Sequence, residues 1–474
     1  MNSSVHHPAS YRDPSGFVFK SNGKYYRQVN QSYSSDYDHL ISSGLYHVLT
    51  EKEWMIPHEE IDENITGSQD QYKTILPLQL PFISYPYEWC FDQLKDAALL
   101  TLRILKRALQ HGMILKDATA FNIQFYESRP IFIDTLSFEK YDESRPWIAY
   151  RQFCECFLFP LLLEHYFMAD IQKMLTIFPE GIPARTTAGM LPFRSKFRVS
   201  NWLHVFLQHA VGQRSSGRTQ AHSFNRQKLE RLIDHLESTV KSLHVKSSVK
   251  STWNTYYEET ILSKQYLSEK EKIFRQFIED ITDGQLLDLG ANDGFFSLIA
   301  AEKNTHVIAV DFDSHCINRL YLQNKERKQK NILPLCNDIS NPSPAIGFRN
   351  EERQTFIKRA KSNVVIALAL IHHLVLSKNI PLSDVALQFA ELADKYLIIE
   401  FIPLEDEKSQ QLISNKTAFH LPYDPLAFET EFNHFFEIER KELIFGTRRL
   451  SYDGAQIHKN SRDMPNRKLK RAVA

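Results

Sequence analysis

Two patterns of hydrophobic and polar positions divide the chain. Its first half mixes short alternating runs, which are typical of strands, with longer runs at helical spacing. Residues 16–29 alternate about Ser21-Asn22-Gly23 and predict a β-hairpin. Further strands are predicted at 121–126 and 130–133, and helices at 36–49, 87–110 and within 147–178. The first half is therefore expected to be an α+β domain.

The second half alternates strand and helix in strict order. Strands separated by helices imply right-handed crossovers and a mostly parallel sheet that is covered on both faces. Residues 435–444 and 448–452, joined across Gly446, predict a closing antiparallel hairpin. The pattern therefore predicts an α/β domain, with strands at 285–289, 306–311, 332–336, 364–370 and 396–401 and helices at 296–303, 315–328 and 383–393.

The length of 474 residues also favours two domains, since an average domain has roughly 100–200. Polar and basic residues dominate 211–251, where apolar positions at helical spacing, Leu229 to Leu236, keep one helix. We place the boundary near residue 245. The predicted organisation is an α+β domain at 1–245, an α/β domain at 246–455 and a basic, disordered tail at 456–474.

Composition narrows the class of protein. Lys plus Arg and Asp plus Glu balance at 57 each, which argues against a surface built throughout for nucleic acid or an anionic membrane but does not address a local patch. The start of the chain lacks a signal-like apolar run, and no apolar run approaches the roughly 20 residues that span a bilayer. We expect a cytoplasmic protein without a membrane segment.

The 5 cysteines are too few and too scattered for a disulfide framework in a chain of this length. Cys154-Glu-Cys156 alone does not make a zinc site, because structural zinc needs two such pairs with wider internal spacing. Small buried residues on a helix explain these cysteines better. No metal site is predicted.

The clearest chemical signal lies where the first strand of the second half ends. Gly290 permits a tight turn, and Gly294 lets the following helix start close to the strand or a ligand. Asn292 stands where a further glycine is common, and asparagine tolerates positive φ well. Glycines in ordinary turns are the alternative interpretation. Ligands in such sheets bind beyond the carboxyl ends of the strands, so this turn is a candidate binding site.

Carboxylates narrow the ligand class. The next strand ends in Asp311, about 20 residues on, where a carboxylate can accept hydrogen bonds from both hydroxyls of a ribose; a strand-end cap is the alternative. Asp288 and Asp293 flank the glycine turn. They would repel a pyrophosphate but suit a cationic ligand that carries an amino group and a sulfonium. S-adenosylmethionine (SAM) is such a ligand.

Four motifs in order resemble those of class I SAM-dependent methyltransferases: Asp288-x-Gly290-x-Asn292-x-Gly294, Asp311, Asn337-Asp338-Ile339 and 367–374. The resemblance covers about 250–452 and implies a Rossmann-like, seven-stranded methyltransferase domain. It implies cofactor binding by Asp288, Gly290, Ala291, Asn292 and Gly294 on the methionine side. It further implies that Asp311 binds the ribose and that Asp338 accepts from the adenine amino group.

Candidate catalytic residues follow the fourth and fifth strands. His372 and His373 stand beside the expected methyl group, where an imidazole could take a proton from an acceptor near neutral pH; packing as a polar cap is the alternative. Glu400 ends the fifth strand and is a further candidate, or a hydrogen-bonded buried carboxylate. Trp253, Tyr256 and Tyr257 could wall the pocket or belong to the core.

The first half carries a second, weaker resemblance. Leu115-Lys116-Asp117, Asn122 and the strand that ends in Asp134 are similar to the catalytic loop and metal-binding aspartate of protein-kinase-like folds. Several parts depart from that pattern: His111 lies six residues before Asp117, no glycine follows Asp134, and Arg27 stands near the expected strand lysine. Three alternatives follow: an active phosphotransferase, a degenerate kinase-like domain that binds substrate or packs, and an unrelated α+β fold.

The whole layout resembles bacterial two-domain methyltransferases related to nodulation proteins, on 13–18, 43–46, 115–118 and 133–138. We expect a SAM-dependent methyltransferase. Its acceptor is expected to be a small molecule or carbohydrate-like, because no strongly basic surface is expected outside the tail and nucleic acid is therefore disfavoured. Alternatives are phosphotransfer or nucleotide binding by the first domain, and a non-catalytic SAM-binding regulatory module. The oligomeric state is left open.

Overall fold

The computed structural model describes residues 5–168, 170–208, 225–245, 264–279, 284–303, 306–414, 416, 419–444 and 447–457. The chain divides into two compact units. The first comprises Met1–Tyr256, Asn292–Phe295 and Ile308–Arg359, and the second Tyr257–Ala291, Phe296–Val307 and Ala360–Ala474. The domain boundary near residue 245 borders residues outside the described part. Trp253, Tyr256, Tyr257 and the tail after Ile457 also lie outside it.

Strands and short helices begin the first unit. The predicted hairpin is confirmed as β2 (Gly16–Ser21) and β3 (Lys24–Asn30). Among the described residues these strands belong to a five-stranded sheet, in the order β1-β2-β3-β5-β4, in which every neighbouring pair is antiparallel. The other members are β1 (Val5–His6), β4 (His58–Ile61) and β5 (Gln71–Pro77).

The helix predicted over 36–49 is in fact two helices, α1 (Ser34–Ser42) and α2 (Leu45–Glu51). Gly44 separates them with φ 77°, in the left-handed region, where an α-helix cannot continue. The long helix predicted next is α3 (Phe91–Gln110), which follows a 3₁₀ turn at Pro86–Glu88 and buries its apolar face.

Two small antiparallel pairs follow α3. The strand pair predicted at 121–126 and 130–133 is confirmed as β7 (Ile123–Tyr126) and β8 (Arg129–Phe132). β6 (Met113–Leu115) pairs with β9 (Phe138–Lys140). The remaining helices of this part are α4 (Tyr150–Phe153), the π-helix Cys154–Leu158, α5 (Phe159–Phe167), α6 (Ala184–Met190), α7 (Val199–Asn201) and the helix Arg226–Ser242, with 3₁₀ turns at Ile171–Thr176 and Phe193–Phe197.

The predicted seven-stranded, Rossmann-like sheet is confirmed in the described part of the second half. Its order, β12-β11-β10-β13-β14-β16-β15, places the first strand third in the sheet and inserts the last strand between the fifth and sixth. β10 pairs parallel with β13, and β13 with β14. The strands are β10 (Gln285–Leu289), β11 (His306–Asp311), β12 (Ile332–Cys336), β13 (Ser362–Ala367), β14 (Ala393–Phe401), β15 (Phe436–Leu443) and β16 (Leu450–Gln456).

Helices alternate with these strands, as the pattern predicts. The strand predicted to reach residue 370 ends at Ala367, shortly before Ala369, whose φ is 55°. The closing hairpin is antiparallel as predicted, and β16 also pairs antiparallel with β14. The described helices include Lys264–Phe277, Phe295–Ala301, Ser314–Arg327, Phe356–Arg359, the π-helix His373–Ser377, Leu382–Leu392, Glu407–Ile413 and Pro425–Phe432. No helix among the described residues combines the length and apolar character that a membrane span requires.

Polar contacts join distant parts of the first unit. Helix Ser314–Arg327 lies against α3, where the Tyr321 hydroxyl donates to Asp96 over 2.6 Å. Arg359 forms a buried ion pair with Glu88 and donates to the carbonyl oxygen of Ile83 over 2.6 Å. Its guanidinium also lies 4.1 Å from the centre of the Tyr85 ring. The ends of these helices are therefore held by charge as well as by apolar packing.

We expect Glu88→Ala to lower the free energy of unfolding by about 3–5 kcal/mol, because it leaves the Arg359 guanidinium buried without its partner. Chemical denaturation of the full chain measures the change. Arg145→Ala removes the exposed pair with Asp142 and should change stability by less than about 1 kcal/mol. Equal losses in the two variants would contradict the assigned role of the buried pair.

Candidate active site

The turn after β10 has the backbone conformation that its sequence predicts. Gly290, Asn292 and Gly294 have φ values of 76°, 51° and 82°, all in the left-handed region. Asn292 therefore adopts the positive φ that asparagine tolerates, where most side chains would be strained. Within the first unit, a Cβ atom on Gly294 would lie 2.4 Å from Cδ1 of Leu320. Glycine at 294 is needed for space as well as for conformation.

Asp311 fastens this turn in the first unit. Its Oδ2 accepts a hydrogen bond from the backbone N–H of Asn292 over 2.9 Å, and its Oδ1 accepts one from the N–H of Asp313 over 2.9 Å. Burial raises the pKa of Asp311 to about 6, against the effect of these donors. At pH 7 the carboxylate is ionised, and each oxygen keeps acceptor capacity for a further donor.

Asn337 and Asp338 directly follow β12. They lie beside Asp311, at the end of the neighbouring strand β11. The backbone N–H of Asn337 donates to the carbonyl oxygen of Asp311 over 2.9 Å. Asp338 accepts from both the N–H and the hydroxyl of Ser340, over 2.9 and 2.6 Å. The Oδ1 atom of Asn337 is buried and has no hydrogen-bond partner among the described residues. A buried acceptor without a partner is costly, so this strand end favours a ligand that donates hydrogen bonds.

Lys173 is a neighbour of this strand end that the sequence did not suggest. Burial acts to lower its pKa, but the charges of Asp170, Cys336 and Asp338 raise it overall. Its ammonium donates to Asp170 over 3.0 Å. No motif marks Lys173, because its proximity to Asp338 arises only from the tertiary fold.

The second unit contains the first part of the glycine motif, from Asp288 to Ala291. Asp288, at the end of β10, is buried and accepts from the Ser297 hydroxyl over 2.5 Å. Ala291 is buried, and the nearest side chain to Gly290 in this unit is Leu370, 3.5 Å from where a Cβ atom would stand. Ser297 thus orients one oxygen of Asp288, at the base of the turn.

His372 and His373 follow β13, as predicted. Their ring centres lie 4.0 Å apart. His372 is fully buried, and neither ring nitrogen has a hydrogen-bond partner among the described residues. Burial and the neighbouring His373 hold the pKa of His372 well below its usual range, and burial and Lys408 lower the pKa of His373 to about 4. Both imidazoles are therefore neutral at pH 7, and their lowered pKa values make each a weak proton acceptor.

Glu400 ends β14 in a buried charge network. Its carboxylate forms an ion pair with Lys270 over 2.7 Å and accepts from the Tyr266 hydroxyl over 2.7 Å. Arg449 lies 3.8 Å away and also pairs with Asp406 over 2.8 Å. Burial opposes ionisation, but Lys270 and Arg449 keep the pKa of Glu400 below its ordinary value. This geometry favours the interpretation of Glu400 as a hydrogen-bonded buried carboxylate.

The partners of Glu400 come from helix Lys264–Phe277 and from the β15–β16 connection, far from the motif in sequence. Lys270 interacts electrostatically with Asp288 and His372 as well, so its charge acts on three of the predicted site residues of the second unit. Lys270 is itself only 3% exposed. A buried lysine is rare unless it is paired, but one sequence does not show which carboxylate pairs it.

Residues of the kinase-like resemblance also lie close to one another in the first unit. Asp134 forms an ion pair with Arg27, and its Oδ2 accepts from the Ser137 hydroxyl over 2.6 Å. Ser137 in turn accepts from the amide of Asn122 over 3.0 Å. Although burial acts to raise it, Arg27 holds the pKa of Asp134 below its ordinary value. A divalent cation on Asp134 would have to displace a tethered guanidinium, which disfavours the phosphotransfer alternative.

Comparison with known proteins finds a relative that covers nearly the whole chain. No protein-family model matches it. It is 31% identical to the nodulation protein NoeA of Rhizobium meliloti strain 1021 over 454 residues, which cover 94% of each chain. The chain belongs to the NoeA family. The resemblance to nodulation-related proteins that the sequence suggested is confirmed.

Several solved structures resemble this chain more distantly than NoeA does. The N-methyltransferase NodS from Bradyrhizobium japonicum WM9 has a TM-score of 0.31 at 10% identity, over 41% of this chain and 98% of that one. The magnesium protoporphyrin IX methyltransferase ChlM from Synechocystis, with bound SAH, has a TM-score of 0.30 at 14% identity, over 43% and 93%. The bifunctional kinase-methyltransferase WbdD has a TM-score of 0.29 at 19% identity, over 40% and 38%.

We expect Gly294→Ala to lower the free energy of unfolding of this NoeA-family chain by about 2–4 kcal/mol. The added Cβ atom is strained in the left-handed conformation and also clashes with Leu320. Thermal unfolding of the full chain measures the change. Gly23→Ala shares the positive φ but adds its Cβ to open space, so about 1–2 kcal/mol is expected there. A Gly294 variant no less stable than the Gly23 variant would refute the packing argument.

Proposed function

We propose that the chain is a SAM-dependent methyltransferase. The observation that carries this proposal is the buried Asp311 carboxylate. It is ionised at pH 7, sits at the end of the second strand, and retains acceptor capacity beside a glycine-containing turn. A ribose offers the two hydroxyl donors that such a carboxylate can accept. The seven-stranded order, with the turn after the interior strand β10, supports the same assignment.

The chain's own residues fit SAM in the following way. Asp288, Gly290, Ala291, Asn292 and Gly294 form the turn proposed for the methionine side, where carboxylates suit an ammonium and a sulfonium. Asp311 is proposed to bind the ribose hydroxyls, and Asp338 the adenine amino group. The buried acceptor of Asn337 supports a donor-bearing ligand at that end. When bound, SAM would supply an electrophilic methyl group.

Two roles are proposed for the residues after β13 and β14. Positioning supplies much of the acceleration in an in-line displacement, and a base is needed only when the acceptor must lose a proton. His372 and His373 follow β13 and are the groups proposed to receive that proton, although their lowered pKa values make them weak bases. Glu400 is proposed to position Lys270 and Tyr266, since its oxygens are already engaged by them.

The acceptor is proposed to be a small molecule or a carbohydrate-like compound. His372 is fully buried, so an acceptor group that reaches it has to be narrow. A sugar hydroxyl or a primary amine satisfies that constraint, whereas a folded protein surface does not. A binding module that holds SAM without transferring its methyl group is the alternative that the second experiment below decides.

We expect the affinity for S-adenosylhomocysteine, the demethylated product, to fall about tenfold as the pH is lowered from 7.5 to 5, because Asp311 is then about one-tenth ionised. The sign follows from its raised pKa of about 6: the charged acceptor is present above that pH and lost below it. Isothermal titration calorimetry on the full chain measures the affinity at each pH.

Asp311→Asn is the matched variant for this titration. It should bind more weakly at pH 7.5 and show little pH dependence. The stability of this variant should also depend less on pH between 5 and 7.5 than that of the wild type, because the titrating carboxyl group is gone. Tight, pH-independent binding by both proteins would refute the role of Asp311, and no binding by folded wild type would refute SAM use.

Methyl transfer itself is tested with tritiated methyl-SAM and a cell extract separated by size. We expect label in the low-molecular-mass and oligosaccharide fractions with wild type, and less than about 1% of that rate with Asp288→Ala, because both binding and positioning are lost. Label confined to protein or RNA would contradict the proposed acceptor class. Binding of SAM without any transfer would establish the regulatory alternative instead.

A further inference from the structure

Charge is distributed unevenly along a chain whose net charge is zero. Residues 181–229 contain eight Lys or Arg residues and no Asp or Glu: Arg185, Arg194, Lys196, Arg198, Arg214, Arg218, Arg226 and Lys228. This stretch counts against the expectation that no strongly basic surface lies outside the C-terminal tail. The balanced total hid this stretch, because acidic residues elsewhere compensate it. Residues 209–224 of the stretch lie outside the described part of the structure.

The same stretch exposes large apolar side chains. Phe193, Phe197 and Val199 are 70%, 77% and 75% exposed, within a run of residues that includes Arg194, Lys196 and Arg198. The Phe193 and Phe197 rings meet edge to face with centres 5.6 Å apart, and the Lys196 ammonium lies 5.3 Å from the centre of the Phe193 ring. We call residues 193–199 the basic aromatic surface. Clustered exposed apolar groups of this kind mark interaction sites.

A cationic cavity adjoins the basic aromatic surface. It has a volume of about 350 Å³ and is lined by His165, Tyr166, Met168, Arg194, Arg198 and His244. Among the described residues, no acidic side chain forms an ion pair with either arginine, while the Arg198 guanidinium lies 5.9 Å from the centre of the Tyr166 ring. Two uncompensated guanidinium groups at one cavity suit a phosphate group, which arginine binds through paired hydrogen bonds.

We propose that this surface binds anionic phospholipid at a membrane–water interface. The cavity takes the headgroup phosphate, Phe193, Phe197 and Val199 enter the boundary between headgroups and acyl chains, and the basic residues attract the negative leaflet. Exposed apolar side chains set among basic residues match the chemistry of an anionic leaflet, where apolar groups enter the boundary region and cations contact the headgroups. The proposal does not rest on methyl transfer.

Co-sedimentation of the full chain with vesicles tests this proposal. Vesicles of phosphatidylcholine alone are compared with vesicles that contain about 30% phosphatidylserine, at low and at high salt. We expect wild type to bind the anionic vesicles at least about tenfold more tightly, with most of the difference lost at high salt. The proposal would be overturned if the protein bound neither kind of vesicle or bound both kinds equally.

Two variants separate the charge and the apolar contributions. Arg194→Gln with Arg198→Gln should weaken binding to anionic vesicles about tenfold or more, and Phe193→Ser with Phe197→Ser should also weaken it. The matched controls are Arg145→Gln with Arg349→Gln and, for the aromatic pair, Phe348→Ser, all at exposed sites elsewhere. Controls that lose as much binding as the variants would overturn the assignment of the site.

A nucleic-acid arm completes the experiment. Anisotropy of a labelled uridine oligonucleotide is measured with the same variants and salt concentrations. Weak binding that the arginine and phenylalanine changes leave unaltered supports the lipid assignment. Oligonucleotide binding that is tighter than vesicle binding, and lost in the same variants, would replace the membrane by single-stranded nucleic acid as the partner.

Discussion

The hydrogen bond from the backbone of Asn292 to the Asp311 carboxylate is the interaction on which the proposed site depends. It fastens the turn after the first strand to the end of the second, so that the left-handed conformations of Gly290, Asn292 and Gly294 are maintained together. Glycine adopts that region freely, so the support matters most for Asn292, the one residue of the three that carries a side chain. The same carboxylate keeps acceptor capacity for a ligand, so the bond that shapes the turn leaves its chemistry available.

Much of this fold could be predicted from the sequence because its pattern is local. The bounds of β10, β11 and β12 follow directly from runs of apolar residues that stop at Gly290, Asp311 and Asn337. The break between α1 and α2 was missed, since the hydrophobic spacing continues across Gly44 and only its positive φ ends the first helix. Local pattern thus predicts where elements lie better than where they break.

The partners of charged residues could not be predicted in the same way. Glu400 was identified as a strand-end carboxylate, but Lys270 and Arg449 lie more than a hundred residues before it and about fifty after it. Such pairings depend on tertiary proximity, which leaves no periodic signal in one sequence. The basic stretch 181–229 was missed for another reason: total composition averages over a local imbalance.

The ion pair between Arg27 and Asp134 has a consequence for how this domain can change during evolution. Both side chains are largely buried, so losing either one alone leaves an uncompensated charge that costs about 3–5 kcal/mol. Metal-assisted phosphoryl chemistry at Asp134 would need that carboxylate without Arg27, and its appearance would therefore pass through a destabilised single substitution. The buried pair thus raises a stability barrier against that change in the first half of the chain.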